Sequence, residues 1–334
     1  MKERVESDVD RRRQWVILAL LVLASLHCVR SILFVNQITP SMSFDKYETG
    51  TAYSPYQTRF MMVPLLRWAH QSTILQKIAA WQNVVAPSWE RYTPEKIFCL
   101  LLFAPLLIGC GLVLTYAFRR RGGLTWWLPW AILLEILFTS FAARSSMANW
   151  YPYDFPDLAF CTVAAVAILD RRWWVLAVLM PIATFNRETT ICWVVLWICL
   201  VAKEQPWLRT TWESVVLLAL WLAVYVPLKL RFLGNPIEEQ AQRVFNLHAI
   251  LLPWLWPQLA SALGFLPLLM VIFQRRLSQE NRRLLMGIGV CALPILWRGM
   301  WIESRIFLDF VPLIVLICAE MVERGGLLKT AIAP

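Results

Sequence analysis

Charge is scarce in this sequence. Asp, Glu, Lys and Arg supply 16% of its 334 residues and apolar types supply 59%, whereas an ordinary soluble domain is roughly a quarter charged. The charged residues, with the prolines and glycines, fall mostly between long apolar runs, which excludes a soluble globular domain. Glycine is sparse at 12 and forms no phosphate-cradling loop. With no Walker pattern and no HExxH pair, there is no sign of a nucleotide-driven soluble module. Histidine numbers 3, and His27, His70 and His248 are scattered, which speaks against a histidine metal site. The 8 cysteines form no CxxC pair and lie within or at the ends of apolar runs, so they read as small hydrophobes rather than disulfides or zinc ligands. No internal repeat and no low-complexity linker divides the chain, and one membrane domain over 1–334 is the simplest count.

What the sequence does have is spanning-length hydrophobicity. A bilayer-crossing helix needs ~20 apolar residues, and apolar windows fall at 14–35, 98–118, 124–142, 157–170, 173–186, 189–202, 212–231, 247–274, 284–300 and 306–322. The expectation is an all-α, polytopic transmembrane bundle of about ten spans. A module over 14–231, which includes the 36–97 connection, comes first and is followed by C-terminal helices over 247–322.

The net charge of +10 would ordinarily raise nucleic-acid binding, but the cations sit as short clusters at helix ends, where they set orientation. Arg11, Arg12 and Arg13 precede the first window, and Arg119–Arg121, Arg171/Arg172, Lys203 with Arg209, Arg275/Arg276 with Arg282/Arg283, and Arg324 follow at every alternate turn. The positive-inside rule then predicts cytoplasmic N- and C-termini and an extracytoplasmic 36–97 segment. Arg11–Arg13 lead into an uninterrupted run with no small-residue cleavage pattern, so the first helix is expected to be retained. Within 36–97, residues 61–82 repeat apolar positions at helical spacing but are interrupted by Arg67, His70, Gln71 and Lys77. That pattern predicts an amphipathic helix lying in the outer interface.

The same topology gathers unusual polar residues on the extracytoplasmic face. Asp45 and Glu48 follow the first helix, with Tyr56 and Arg59 close behind; a carboxylate near the membrane can take a proton from a hydroxyl or hold a divalent metal, and an arginine can pair with phosphate. An ordinary solvated loop is the plainer alternative. Asp154 and Asp157 flank aromatics and prolines at a helix mouth, where they are either catalytic acids or first-turn acids satisfying the helix dipole. Asn186, Arg187 and Glu188 separate two windows of ~14 residues, which at 1.5 Å per residue give ~21 Å and fall short of a ~30 Å core. A charged pair so placed costs about 2.5–3.5 kcal/mol per charge unless it is neutralised or binds something, so it marks either a recessed site or a structural ion pair. Arg298, Glu303 and Arg305 lead into an apolar helix containing Asp309, and Glu135 lies deep in the third window.

The phrases Tyr56-Gln57-Thr58-Arg59, Tyr153-Asp154-Phe155-Pro156, Asn186-Arg187-Glu188-Thr189 and Glu303-Ser304-Arg305 resemble those of bacterial inner-membrane proteins grouped near the C-type glycosyltransferase superfamily. The architecture over residues ~10–230 looks like that superfamily as well. The resemblance implies a catalytic acid in the first long extracytoplasmic loop, here Asp45 or Glu48, and a polyprenyl-phosphate-linked sugar donor. An Asp-x-Asp in an extracytoplasmic loop, a second acidic loop motif and a large C-terminal soluble domain, present in better-known members, are missing here.

The expected function is therefore a membrane-embedded glycosyltransferase of the bacterial inner membrane, acting on the extracytoplasmic face. Arg59, Arg187, Arg298 and Arg305 would hold the lipid phosphate and Asp45 or Glu48 would activate the acceptor hydroxyl, with Asp154 and Asp157 the next acids in line. Two rivals stand beside it. A secondary transporter would use Glu135, Arg187/Glu188 and Asp309 as an intramembrane charged path, and a non-catalytic envelope-assembly protein would need no chemistry at all. A transporter places its charges near the midplane; a transferase places them near one surface.

Overall fold

A computed structural model describes residues 2–35, 42–54, 56–85, 91–142, 150–237, 251–257, 262–298 and 304–324. Among them the chain is helical, with only an isolated bridge between Ser54 and Ile237 in place of any strand. The helices are α1 (Lys2–Val35), α2 (Phe44–Thr49), α3 (Val63–Gln71), α4 (Thr73–Val85), α5 (Pro94–Arg120), α6 (Leu128–Leu137), α7 (Asp154–Leu169), α8 (Trp173–Asn186), α9 (Cys192–Val201), α10 (Trp207–Arg231), α11 (Leu266–Ile272), α12 (Gln279–Arg298) and α13 (Val311–Arg324). Three stretches are long and apolar enough to cross a membrane: Arg11–Phe34 within α1, α5 and α10. Their outward faces carry large exposed apolar side chains, such as Leu20 and Leu23, Leu101 and Leu112, and Trp212 and Val215. A surface of that kind is unfavourable in water and suits lipid, and the chain is a membrane protein.

Local chemistry sets the ends of these helices. The Thr93 side chain accepts from the Lys96 N–H and Pro94 occupies the first turn of α5, whose last turn carries Arg119 and Arg120; a hydroxyl cap, an early proline and terminal cations are the features that start and stop helices. Helix α13 is buried on every side, from Val311 to Ala319, as its all-round apolar sequence requires. It packs against α5, α6 and α7. Helices α5 and α6 approach closely at Gly111, where a Cβ would collide with the Trp130 ring. The Trp130 indole N–H in turn donates to the Ser25 hydroxyl on α1 at 3.1 Å.

The helices alternate in direction, so their ends collect into two polar layers. At one end, Arg120 pairs with Asp170 at 2.7 Å, Arg121 with Glu280 at 3.0 Å, Arg171 with Glu204 at 3.0 Å and Glu280 at 2.8 Å, and Arg283 with Glu204 at 3.1 Å. These are the cation clusters that the sequence assigns to the cytoplasm. The other end holds the candidate site.

Two expectations are corrected by the fold. The window 247–274 is not one helix where it is described: Pro253–Leu255 and Ala262–Phe265 are short 3₁₀ segments, and only α11 follows. Pro253, Pro257 and Pro267 each remove a backbone donor, and Leu263, Gly264 and Phe265 take left-handed backbone angles. The amphipathic segment 61–82 is two helices, α3 and α4, separated at Ser72, whose backbone is extended. α3 buries Val63, Leu66 and Ala69, and α4 buries only Leu75 and Ala79, leaving Ile74, Ile78, Trp81, Val84 and Val85 exposed.

Candidate functional site

The site is built around the break between α8 and α9. Arg187 has extended backbone, which stops α8, and a 3₁₀ turn Glu188–Ile191 bridges to α9. Side chains replace the helical ladder through this break. The Asn186 amide donates to the Tyr153 carbonyl at 3.0 Å, the Thr184 and Thr190 hydroxyls lie 2.9 Å apart, and the Trp221 indole N–H donates to the Glu188 carbonyl at 2.8 Å. Irregular backbone at membrane depth requires such substitutes.

Two arginines enter from different directions. Arg59, from the 42–62 segment, makes a two-point pair with Glu188, Nε to Oε2 at 3.1 Å and Nη2 to Oε1 at 2.9 Å. Its Nη1 donates to the Tyr153 hydroxyl at 2.7 Å and its guanidinium sits 4.6 Å from the Tyr153 ring centroid. Tyr153, Tyr151 and Tyr56 form a stack behind it, and the Tyr47 hydroxyl donates to the Arg59 carbonyl. Burial of its surroundings opposes the charge, but Glu188 and Tyr153 hold the Arg59 guanidinium well above its usual pKa. Arg187, 4% exposed, donates from Nη1 to Asp157 Oδ2 at 3.0 Å.

Asp309 completes the cluster. The Thr189 hydroxyl donates to its Oδ1 at 2.9 Å, and the Cys161 thiol lies 3.8 Å from Asp309 and 3.9 Å from Asp157. Arg187 Nε, Asp309 Oδ2 and Asn186 Oδ1 are buried without a hydrogen-bond partner among the described residues. A buried polar atom left unpaired costs about 1–3 kcal/mol, and such atoms point to a ligand, a water or a moving proton. The cluster is closed on most sides; its open edge is formed by Glu188, whose side chain is 25% exposed, and half-buried Thr189.

The expected site residues divide between this cluster and its surroundings. Arg59, Asp157, Asn186, Arg187 and Glu188 lie in it, and Tyr56 stacks behind it. Asp154 is the first residue of α7, and its Oδ2 accepts from the Tyr151 N–H at 2.9 Å, tying down the turn that leads into the helix. Asp157 also stands in the first turn of α7, as expected, and pairs with Arg187 as well. Asp45 and Glu48 stand on α2, which turns Tyr47 inward; Asp45, two residues away, is exposed on the opposite side, and Glu48 is half-buried. Glu48 lies beside His70 and Glu95, and burial and the neighbouring Glu95 carboxylate push its pKa up. Arg298 ends α12 and Arg305 falls in the 3₁₀ segment Ser304–Phe310, with both side chains outside the described part. Glu303 lies outside the described residues altogether.

Glu135 does not join Arg187 and Asp309: it lines a separate surface cleft between α1 and α6, with Arg13 and His27. Sequence reasoning gave no role in the cluster to Tyr47, Tyr153, Cys161, Thr189 or Trp221. Tyr153 and Thr189 carried a signal as members of the quoted phrases, and Cys161 carried one by lying four residues, one helical turn, beyond Asp157.

Comparison with family models, with curated proteins and with solved structures finds no match to this chain.

Proposed function

We propose that the chain is a membrane-embedded glycosyltransferase that uses a polyprenyl-phosphate-linked sugar donor and acts at the extracytoplasmic end of a multi-span bundle. The observation that carries this reading is the buried Arg187, whose Nε has no partner among the described residues, held at one end of the bundle rather than in its middle. Arg59 spends Nε, Nη1 and Nη2 on Glu188 and Tyr153, so it clamps the break. Arg187 keeps donors to spare and is the group for the donor phosphate, because a planar guanidinium can face two phosphate oxygens at once.

The acids then separate by role. Asp154 and Asp157 are committed to backbone and to Arg187, which leaves Asp45 outside the cluster and Asp309 inside it as candidates to accept the acceptor's proton. Single displacement inverts the sugar carbon. The cation-rich layer, with the N- and C-termini, faces the cytoplasm of a bacterial inner membrane, and the apolar exposed face of α4 lies in the outer interface. Crossing by the shorter helices brings the number of spans towards ten.

The test is transfer of a radiolabelled sugar from a panel of polyprenyl-phosphate donors by purified protein in nanodiscs. Turnover that disappears in Arg187→Ala while folded yield is retained supports the reading. No transfer and no donor binding by the wild-type chain would sink it.

A further inference from the structure

A second group of side chains lies outside the arginine cluster. Glu48 from α2, His70 from α3 and Glu95 from the first turn of α5 bring one donor atom each to within 4.8 Å of one another. The three residues come from separate elements, and nothing in the arginine cluster uses them. His70 Nδ1 meets Glu95 Oε1 at 2.5 Å, the histidine side chain 57% exposed and the glutamate 6%.

The charge around this group is out of balance. Asp45 stands near Glu48 and His70, giving three carboxylates against one imidazole. Arg67, the cation beside them, directs Nε and Nη2 to the Glu48 backbone carbonyl rather than to either carboxylate. A buried carboxylate such as Glu95 needs a counter-charge or a full set of donors. Among the described residues it has one exposed imidazole.

From this juxtaposition we infer that Glu48, His70 and Glu95 form a binding site for a divalent transition-metal ion, with zinc the best-fitting species. Two carboxylate oxygens and one imidazole nitrogen make a borderline donor set that favours zinc over magnesium or calcium, which prefer oxygen alone. Three protein ligands leave a fourth position for water or substrate, and the exposed side of His70 is where it would open. Donors around a tetrahedral zinc sit about 3.3 Å apart at bond lengths of about 2.0–2.1 Å. The His70–Glu95 contact must therefore open by somewhat under about 1 Å, and Glu48 must draw in. Binding replaces the proton shared by Nδ1 and Oε1, which leaves to water. The bound ion would tie α2, which carries Asp45, to α3 and to the start of α5.

The inference does not rest on the transferase reading, because its readout is metal binding. Untagged full-length protein in detergent is stripped with chelator and titrated with zinc by calorimetry and with cobalt(II) by visible absorption. One equivalent of zinc should bind, with cobalt giving the absorption of a low-coordinate N/O site. His70→Ala should weaken zinc by at least ~10-fold, since even outer-shell changes at metal sites cost that much, and Glu95→Gln should do the same. His27→Ala should change nothing. Because His70 is exposed, His70→Ala should fold even if Glu95→Gln does not. Zinc affinity unchanged in His70→Ala, or no zinc taken up by wild type, would overturn the site and leave His70 and Glu95 as a hydrogen-bonded pair only.

Discussion

Arg59 and Glu188 lie 129 positions apart in the chain and meet through two parallel hydrogen bonds. This pair joins the segment after α1 to the break between α8 and α9, and the Arg59–Tyr153 hydrogen bond joins the same segment to the start of α7. Glu188 thus pairs with Arg59 and not with its neighbour Arg187, which turns to Asp157 instead.

Breaking that pair from either side should be costly. Removing one member of a largely buried ion pair destabilises by about 3–5 kcal/mol, because the other charge is left uncompensated; partial exposure of Glu188 puts this case near the lower figure. Arg59→Ala and Glu188→Gln should each lower the thermal midpoint in detergent, and the double variant should fall by clearly less than their sum. Additive losses would mean that the two groups do not depend on each other.

Arg187 separates function from folding. Arg187→Lys keeps the charge beside Asp157 but loses the planar fork, so the folded yield should stay near wild type while donor binding weakens by on the order of tenfold or more. Equal loss of folded protein and of binding would make the residue a structural ion-pair partner.

The two candidate acids give opposite readings of one experiment. If Asp45 is the base, Asp45→Asn should lower turnover by about 10²–10⁴-fold and leave donor binding intact. If Asp309 is, Asp309→Asn should do so instead, and Asp45→Asn should turn over normally. Wild-type turnover in both would remove both from the mechanism.

His70 should make the metal-free protein's stability depend on pH. Its hydrogen bond to Glu95, opposed by partial desolvation and helped by the nearby Glu95, Glu48 and Asp45 carboxylates, raises its pKa above the ordinary 6.5. A folded-state pKa above the unfolded value means that the contribution is fully present below about pH 6.5 and fades as pH rises through the raised folded value. The thermal midpoint of chelator-treated wild type should decline across that interval relative to His70→Gln. Parallel curves would show that the contact contributes nothing.

Membrane topology can be read from two introduced thiols. The native cysteines are buried except Cys199, which is partly exposed, so background labelling should be low. Lys77→Cys should react with an impermeant maleimide in intact cells and Lys203→Cys only after lysis. The reverse pattern would invert the bundle and move the arginine cluster to the cytoplasm.

Helix α5 shows how much the sequence alone determines. Its apolar length and its closing arginines are local signals that the structure reproduces, while the Thr93 cap and Pro94 start the helix four residues ahead of the apolar window. The same holds for the short α8 and α9, because an Asn-Arg-Glu interruption cannot continue an apolar helix without burying charge. By contrast, the 247–274 window is not a single helix where it is described. Its apolar side chains promise a span, but three prolines and a glycine interrupt the backbone hydrogen bonding that a span needs.

The partners of the charged residues were beyond the sequence. Asp154 and Asp157 are three residues apart and chemically alike, yet one accepts from the Tyr151 N–H and the other pairs with Arg187. The direction each faces was decided by the packing of α7 against α8 and the segment leading into α13. Asp45 and Glu48 looked equivalent to them as loop acids, and burial of Tyr47 turned α2 so that both point elsewhere. Periodicity and helix ends are set within a few residues, whereas a salt bridge spanning 129 positions exists only after the helices have packed.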